Sequence, residues 1–327
     1  MPNEMCVYQN STPCVGGYAL RPPRYYPPVA PWTIRVRMTS WDGYPVPKEG
    51  ATVTRVFDDM YIYDITYENP DWSNLLESGG YMNREFAEVL EANTTGVTNM
   101  SNMFNRQARL QSLPYFDTSA VTNMHNMFRG CYALPGVPLF DTSAATDMYG
   151  MFADCRVLAS VPAFDTSSAT DMGQMFMGCD LLADVPLFDT SHVTNMASMF
   201  SACYALHDVP LFDTSSAIYM STMFKDCAAI ENAPLFNTSH ATRLDGMFSG
   251  CSALMAVPLY NTSSATNVAG MFQDCFLVES GALALYTQMS AQSSLSGTTS
   301  HRYTFKNCGR DTTSGAAELA QIPSGWK

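Results

Sequence analysis

The chain has 327 residues, 46% of them hydrophobic, and a formal net charge of −13 from 30 acidic and 17 basic side chains. That apolar fraction is enough for a sizeable core, while the acidic balance argues against nucleic acid and against an anionic membrane surface as partners. No stretch approaches the ~20 consecutive apolar residues that span a bilayer, so no membrane insertion is expected.

Residues 1–31 begin Met1-Pro2-Asn3-Glu4, with no basic start and no apolar run behind it, so no secretory signal is read there. They contain Pro22-Pro23-Arg24-Tyr25-Tyr26-Pro27-Pro28 and end at Pro31. Such a run favours an extended polyproline arm over a packed core. Aromatic side chains give large contact area, which makes Tyr25, Tyr26, Pro27 and Pro28 candidate anchoring residues on a larger assembly; the bland alternative is a frayed terminus. Cys6 and Cys14 are a candidate disulfide, with Cys308 left over. From residue 32 to 80 apolar and polar residues alternate, as in Thr33-Ile34-Arg35-Val36-Arg37-Met38 and Tyr61-Ile62-Tyr63-Asp64-Ile65-Thr66-Tyr67, which predicts a small β-domain broken at Gly43, Pro45, Pro47 and Gly50. In segment 81–92, Phe86, Val89 and Leu90 fall on one face of a helix that would seal the unit behind it.

That unit runs over 93–281. The pair Met-Phe recurs at 103–104, 127–128, 151–152, 175–176, 199–200, 223–224, 247–248 and 271–272, eight copies spaced by 24 residues. A fixed period of this size marks a solenoid, in which each turn covers the apolar face of the last. Within one copy Met148, Met151, Phe152 and Cys155 stand at i, i+3, i+4 and i+7, which predicts a helix of about three turns from near Ala144 to near Asp154, capped by Thr142 or Ser143. The stretch Leu158–Val161, ending at Pro162, then reads as a short strand. Stacked, the copies predict an α/β repeat: a leucine-rich-repeat-type solenoid with parallel short strands and one helix per turn, on the order of 35 to 40 Å long. The cysteine of each turn, from Cys131 to Cys275, reads as a buried free thiol. The column Asp117, Asp141, Asp165, Asp189 and Asp213 could hold calcium or cap backbone N–H groups; Asn237 and Asn261 at the same position keep the acceptor without the charge and favour capping.

The unit Phe-Asp-Thr-Ser-x-x-Thr-x-Met-x-x-Met-Phe-x-x-Cys-x-x-Leu-x-x-Val-Pro, clearest over 189–210, resembles the BspA-like leucine-rich-repeat surface proteins over about residues 93–280. The resemblance implies the repeat fold and a role in surface display and adhesion to other cells or host proteins.

Beyond the repeats, 282–327 reads as a C-terminal cap: a helix at Ala282–Met289, a Ser/Gly/Thr-rich loop, and an ordered tail ending near Trp326. Little chemistry is visible. Of the five histidines only His192 and His240 share a repeat position, two turns apart, too far for one metal ion. No nucleophile-elbow, phosphate-loop or zinc-protease motif occurs. No cofactor, metal or catalytic residue is assigned, and the protein is expected not to be an enzyme; a site in the β-domain is the weakest reading. The outward positions that break the repeat are the ligand-facing candidates: Tyr132, Tyr204 and Phe276 at one position, with Asp184, His207, Asp208 and Glu231 in the strand stretch. The resulting expectation is a non-enzymatic binding protein of a bacteriophage virion, a fibre or decoration protein held by its N-terminal arm, presenting the repeat face to a host-cell surface protein or glycan. The second reading is a bacterial cell-surface adhesin. Both place the chain on a virion or an extracellular surface, and both are compatible with a homo-oligomer.

Overall fold

The computed structural model describes residues 32–38, 51–56, 61–67, 72, 86–297 and 299–327. The arm with Tyr25, Tyr26, Pro27 and Pro28 and the pair Cys6 and Cys14 lie outside the described residues. Four strands, β1 (Thr33–Met38), β2 (Ala51–Arg55), β3 (Ile62–Tyr67) and β4 (Phe86–Asn93), form an antiparallel sheet in the order β2-β3-β1-β4. Alternation puts Ile34, Val36 and Ile65 on one buried face, while Ile62, paired with Arg37, is buried on the other. On the same sheet Arg35 is also buried, held by Asp64 and Glu91.

Over its described part, residues 86–92, the helix expected over 81–92 is corrected to a strand by β4. Its residues donate and accept across two interfaces: it pairs with β1, and on its other side Val89 N–H donates to the Ser112 carbonyl while Gln111 N–H donates to that of Ala87. A pattern carried by Phe86, Val89 and Leu90 alone does not separate strand from helix, and two available edges decide in favour of the strand. The sheet thus continues directly into the first turn of the solenoid. One residue makes the joint. Gln107 occupies the position filled by cysteine in every later turn, and its Oε1 accepts from Phe86 N–H at 3.0 Å. Replacing Gln107 by leucine leaves that buried N–H without an acceptor, so a loss of about 1–3 kcal/mol is expected in urea unfolding.

The repeats contain no helix, which corrects the one-helix-per-turn expectation. In the representative turn, Met148, Gly150, Phe152 and Asp154 each donate their N–H to the next turn, to the carbonyls of Asp171, Gly173, Met175 and Met177, at 2.6 to 2.9 Å. The intervening Met151, Ala153 and Cys155 donate back to the carbonyls of Met148, Gly150 and Phe152, closing successive tight turns. Tyr149 N–H goes to the Asp147 side chain at 3.0 Å. Every N–H from 148 to 155 is therefore satisfied without an i to i−4 bond. The price of this path is a left-handed residue every fourth position: Gly150 at φ 61° and Asp154 at φ 62° here, Asn102 and Arg106 or Gly246 and Gly250 elsewhere. Glycine, asparagine and aspartate tolerate that region best, and a helix does not pass through it.

The strand expected at Leu158–Val161 is reduced to isolated parallel bridges at the two ends of the stack, Glu88 with Ser112 and Ala256 with Ser280. The regular parallel contact between turns lies elsewhere, as single bridges at Asn99, Asn123, Asp147, Asp171, Asn195, Tyr219, Arg243 and Asn267, just before Met100 and its counterparts. The inward set matches the sequence reading. Met148, Met151, Phe152, Cys155 and Leu158 are fully buried, with their counterparts in the other turns. The phenylalanines stack from Phe104 to Phe272 at 5.3 to 5.7 Å between ring centroids. Each thiol donates to the phenylalanine carbonyl of the turn before, Cys155 to Phe128 at 3.2 Å for example, and burial pushes the Cys155 thiol up to about 12.

The stack closes with a partial ninth turn. After α1 (Ala282–Ser290), residues 300–309 resume the ladder: Gly270, Phe272 and Asp274 donate to the carbonyls of Arg302, Thr304 and Lys306. Phe305 stacks on Phe272 at 6.2 Å, and Cys308 is buried and free, as the last thiol of the column. Trp326 then covers the end, with its carbonyl accepting from Phe305 N–H and its ring 4.2 Å from that of His301. Helix α2 (Thr313–Gln321) packs beside α1, where the Glu318 carboxylate accepts from Leu283 N–H.

Candidate binding face

Between the buried leucine of one turn and the aspartate of the next, the chain runs along the outside of the solenoid. In this stretch inward and outward residues alternate: Phe140 and Thr142 are buried while Leu139 and Asp141 face water. The same alternation in every turn builds two exposed columns side by side. One is aliphatic: Leu139, Leu187, Leu211, Leu235 and Leu259 are between 57% and 68% exposed, with Tyr115 ahead of them and Ala163 in the remaining turn. A single exposed leucine needs no explanation, but one in nearly every turn forms a continuous apolar stripe. Full burial of each would stabilise by roughly 1.5–3 kcal/mol. The sequence reading missed this column, although the recurring Pro-Leu-Phe triplet, with phenylalanine fixed inward, was the signal that its leucine must point out.

The second column is acidic. Asp141 Oδ1 accepts both the N–H and the hydroxyl of Ser143, at 3.1 and 2.7 Å, and Asp165 and Asp189 do the same with Ser167 and Ser191. These bonds hold the carboxyls of Asp141, Asp165, Asp189 and Asp213 below their ordinary range. The buried threonine between them ties the turns together, Thr142 Oγ1 donating to the Asp165 carbonyl at 2.7 Å. Because the folded pKa is the lower one, the contribution to stability is present above the unfolded value and is lost as pH falls through the folded value. Melting temperatures of the wild type should drop as pH falls from about 5 through the carboxylate range. A variant with asparagine at all four positions keeps the acceptor and should show a shallower drop.

Of the residues singled out from the sequence, Asp184, His207, Asp208 and Glu231 are exposed on three successive turns, beside Leu187, Leu211 and Leu235. Tyr204 is exposed in the same region, and Leu181 adds to it. Tyr132 shares the position of Tyr204 three turns away and lies under the Arg156 guanidinium, 5.1 Å from the ring centroid. Phe276 is only half-exposed: Arg310 covers it at 4.5 Å and its carbonyl accepts from Asp311 N–H in the cap. Five of the seven candidates are thus exposed on three neighbouring turns, whereas Tyr132 lies on the same face three turns away and Phe276 lies under the cap. His192 and His240 bond locally, to Ser191 and to the Ser215 carbonyl. No group of three potential metal ligands occurs among the described residues, and no helix among them is long and apolar enough to cross a membrane.

Comparison with known proteins places the repeats in context. A family profile described as "Mycoplasma protein of unknown function, DUF285" matches residues 76–182, 146–257 and 178–283, together well over half of the chain. These matches fall on the stretch that resembles the BspA-like repeats. A crystal structure of a leucine-rich repeat protein from Eubacterium ventriosum ATCC 27560 is 20% identical, with a TM-score of 0.39, over 52% of this chain and 44% of that one. The chain thus spans less than half of that protein's length. No curated protein matches.

Proposed function

The chain belongs to the DUF285 family, and from that premise we propose that it is a non-catalytic recognition protein that binds other surfaces through its leucine and aspartate columns. The observation that carries this reading is the exposed leucine column on a rigid stack. A solenoid that buries the methionines and phenylalanines of its repeated Met-Phe pairs has left a periodic apolar stripe in water, rimmed by carboxylates and by Tyr204 and His207, and such patches mark interaction sites. The rigidity of the stack means that little conformational entropy is lost when the face is used. The partner is a protein or glycan on a host-cell surface. The assembly that carries the chain is a virion, to which residues 1–31 attach it. The bacterial origin of the family description also favours a second reading, display on a bacterial cell.

The test is binding of the labelled full-length chain to intact bacterial cells, together with gold-labelled antibody against the chain on virions and on producing cells. Saturable cell binding with gold on particles is expected. Gold on the producing cells alone selects the adhesin reading, and unsaturable binding to every surface refutes specific recognition.

A further inference from the structure

The exposed leucines run between two rows of carboxylates. The chain crosses this face once per turn, so Asp184, Asp208 and Glu231 stand on one side of Leu187, Leu211 and Leu235, and Asp189 and Asp213 stand on the other. Over the seven equivalent stretches from 111–119 to 255–263 there are eight carboxylates and no lysine or arginine, in a chain with 17 such basic residues. The backbone holds the leucines out. Leu211 and Leu235 are the middle residues of three-residue turns, closed where Phe212 N–H donates to the Pro210 carbonyl at 2.9 Å and Phe236 N–H to that of Pro234 at 3.0 Å. Asp189 and Asp213 engage Ser191 and Ser215 through Oδ1 alone, and among the described residues their Oδ2 atoms take no hydrogen bond.

This charge pattern excludes most occupants. Anionic lipid, nucleic acid and acidic glycans are repelled by both rows. A neutral glycan would bury hydroxyls against aliphatic side chains that cannot hydrogen-bond. A second copy laid on the stripe would set its own carboxylates against these. A polypeptide with an apolar strip between basic side chains meets both the leucines and the rows. The dimensions narrow it further. Asp184 and Asp189 are five residues apart, at most ~17 Å along an extended chain, which leaves room for a helix ~10–12 Å across whose basic side chains reach either row; a single extended strand is too narrow to touch both. Successive rings just beneath the face are 4.8 to 6.5 Å apart. That range brackets the ~5.4 Å pitch of an α-helix, so a helix parallel to the stack sets one of its turns over each turn of the solenoid.

We propose that the stripe binds a basic amphipathic helix of a protein partner, laid along the stack with its apolar residues between Leu187, Leu211 and Leu235 and its lysine or arginine side chains on the two rows of carboxylates. This rests on the reading of the face as a recognition surface and narrows its partner to a polypeptide of stated charge. Burial of the leucines supplies the affinity. The carboxylates, exposed and screened by salt, add little to it and instead orient the helix and turn acidic partners away.

The test titrates the labelled full-length chain with a synthetic leucine/lysine peptide of about five helical turns, with leucines on one face and lysines on both flanks. Two control peptides have the same length: one has the same composition in strict alternation, which forms no apolar helix face, and one has glutamate for lysine. The basic helical peptide should bind saturably and at least about tenfold more tightly than either control. Leu187→Asp/Leu211→Asp should weaken it at least about tenfold, although these substitutions add negative charge. Asp184→Asn/Asp208→Asn should reduce the salt dependence of binding, since exposed charge pairs are screened. Unaltered melting temperatures verify that both variants fold. Equal binding of the alternating peptide, or undiminished binding by the leucine variant, overturns the proposal and leaves charge attraction alone. A dimer of the free chain that the leucine variant abolishes overturns it in favour of a second copy. Cell binding is read separately, with and without protease treatment of the cells. If the helical peptide binds through the leucines while the chain binds no cell, the helix site stands and recognition of a cell surface falls. If cell binding needs Leu187 and Leu211 but survives protease treatment, or occurs while the helical peptide does not bind, the recognition reading stands and the helix falls.

Discussion

Phe176→Ala is expected to lose about 3–5 kcal/mol, the range for truncating a fully buried aromatic side chain. Phe176 has no exposed surface, stacks between Phe152 at 5.7 Å and Phe200 at 5.6 Å, and meets Phe188 at 5.9 Å. Its loss opens a void shared by three turns, and neighbours locked in the inter-turn ladder cannot collapse into it. Because each turn touches mainly the next, the damage should be local. Hydrogen exchange should show lost protection centred on turns containing Phe152, Phe176 and Phe200 and little change in the β-sheet. A thermal melt indistinguishable from that of the wild type would refute the buried stack.

Arg35→Ala should cost about 3 kcal/mol, at the lower end of the range for breaking a buried ion pair. Arg35 is 2% exposed, and its guanidinium forms two bonds to Asp64, Nε to Oδ1 at 2.7 Å and Nη2 to Oδ2 at 2.8 Å, with Nη1 reaching Glu91 Oε2 at 3.3 Å. It clamps β1 to both neighbours, β3 and β4. Removing it leaves carboxylates on both sides, though each keeps some contact with water, which limits the cost. Arg35→Lys should restore only part of the loss, because an ammonium cannot match the two-point geometry. Denaturant unfolding of the three proteins measures this, and a fully stable Arg35→Lys variant would show that charge alone, without the fork, holds the sheet.

The two substitutions probe different degrees of legibility. The inward set of the solenoid was readable because a 24-residue period repeats the same methionine-phenylalanine pair eight times, followed by cysteine in all turns but the first and by leucine, isoleucine or valine, and burial follows from apolarity whatever the backbone does. The backbone path was not readable from that set. Spacing of 3, 4 and 7 fits a helix, but it fits equally a string of tight turns with a left-handed residue every fourth position. The distinguishing mark lay in the residues between: Gly150 and Asp154, Asn126 and Gly130, Gly246 and Gly250 recur where a helix has no use for glycine. Asp147 and its counterparts added a second mark, since their side chains take the N–H that the turns leave over. The helix expected over 86–92 failed for another reason, because the edges that make β4 a strand belong to residues far away in the chain. On the binding face the variable positions Tyr204, His207, Asp184, Asp208 and Glu231 were found as breaks in the repeat, whereas the leucine column was missed because it is itself periodic and so looked like core.

The claim that most needs testing is that recognition runs through this face. The measurement is the affinity of the full-length chain for intact cells, compared between Leu187→Asp/Leu211→Asp/Leu235→Asp and a control with equal added charge, Thr146→Asp/Thr170→Asp/Thr194→Asp, at exposed positions further round each turn. With both variants melting like the wild type, the leucine variant should bind at least about tenfold more weakly, as expected for loss of apolar anchors at the centre of an interface, and the threonine variant should bind as the wild type does. Undiminished binding by the leucine variant would contradict the assignment of the binding face.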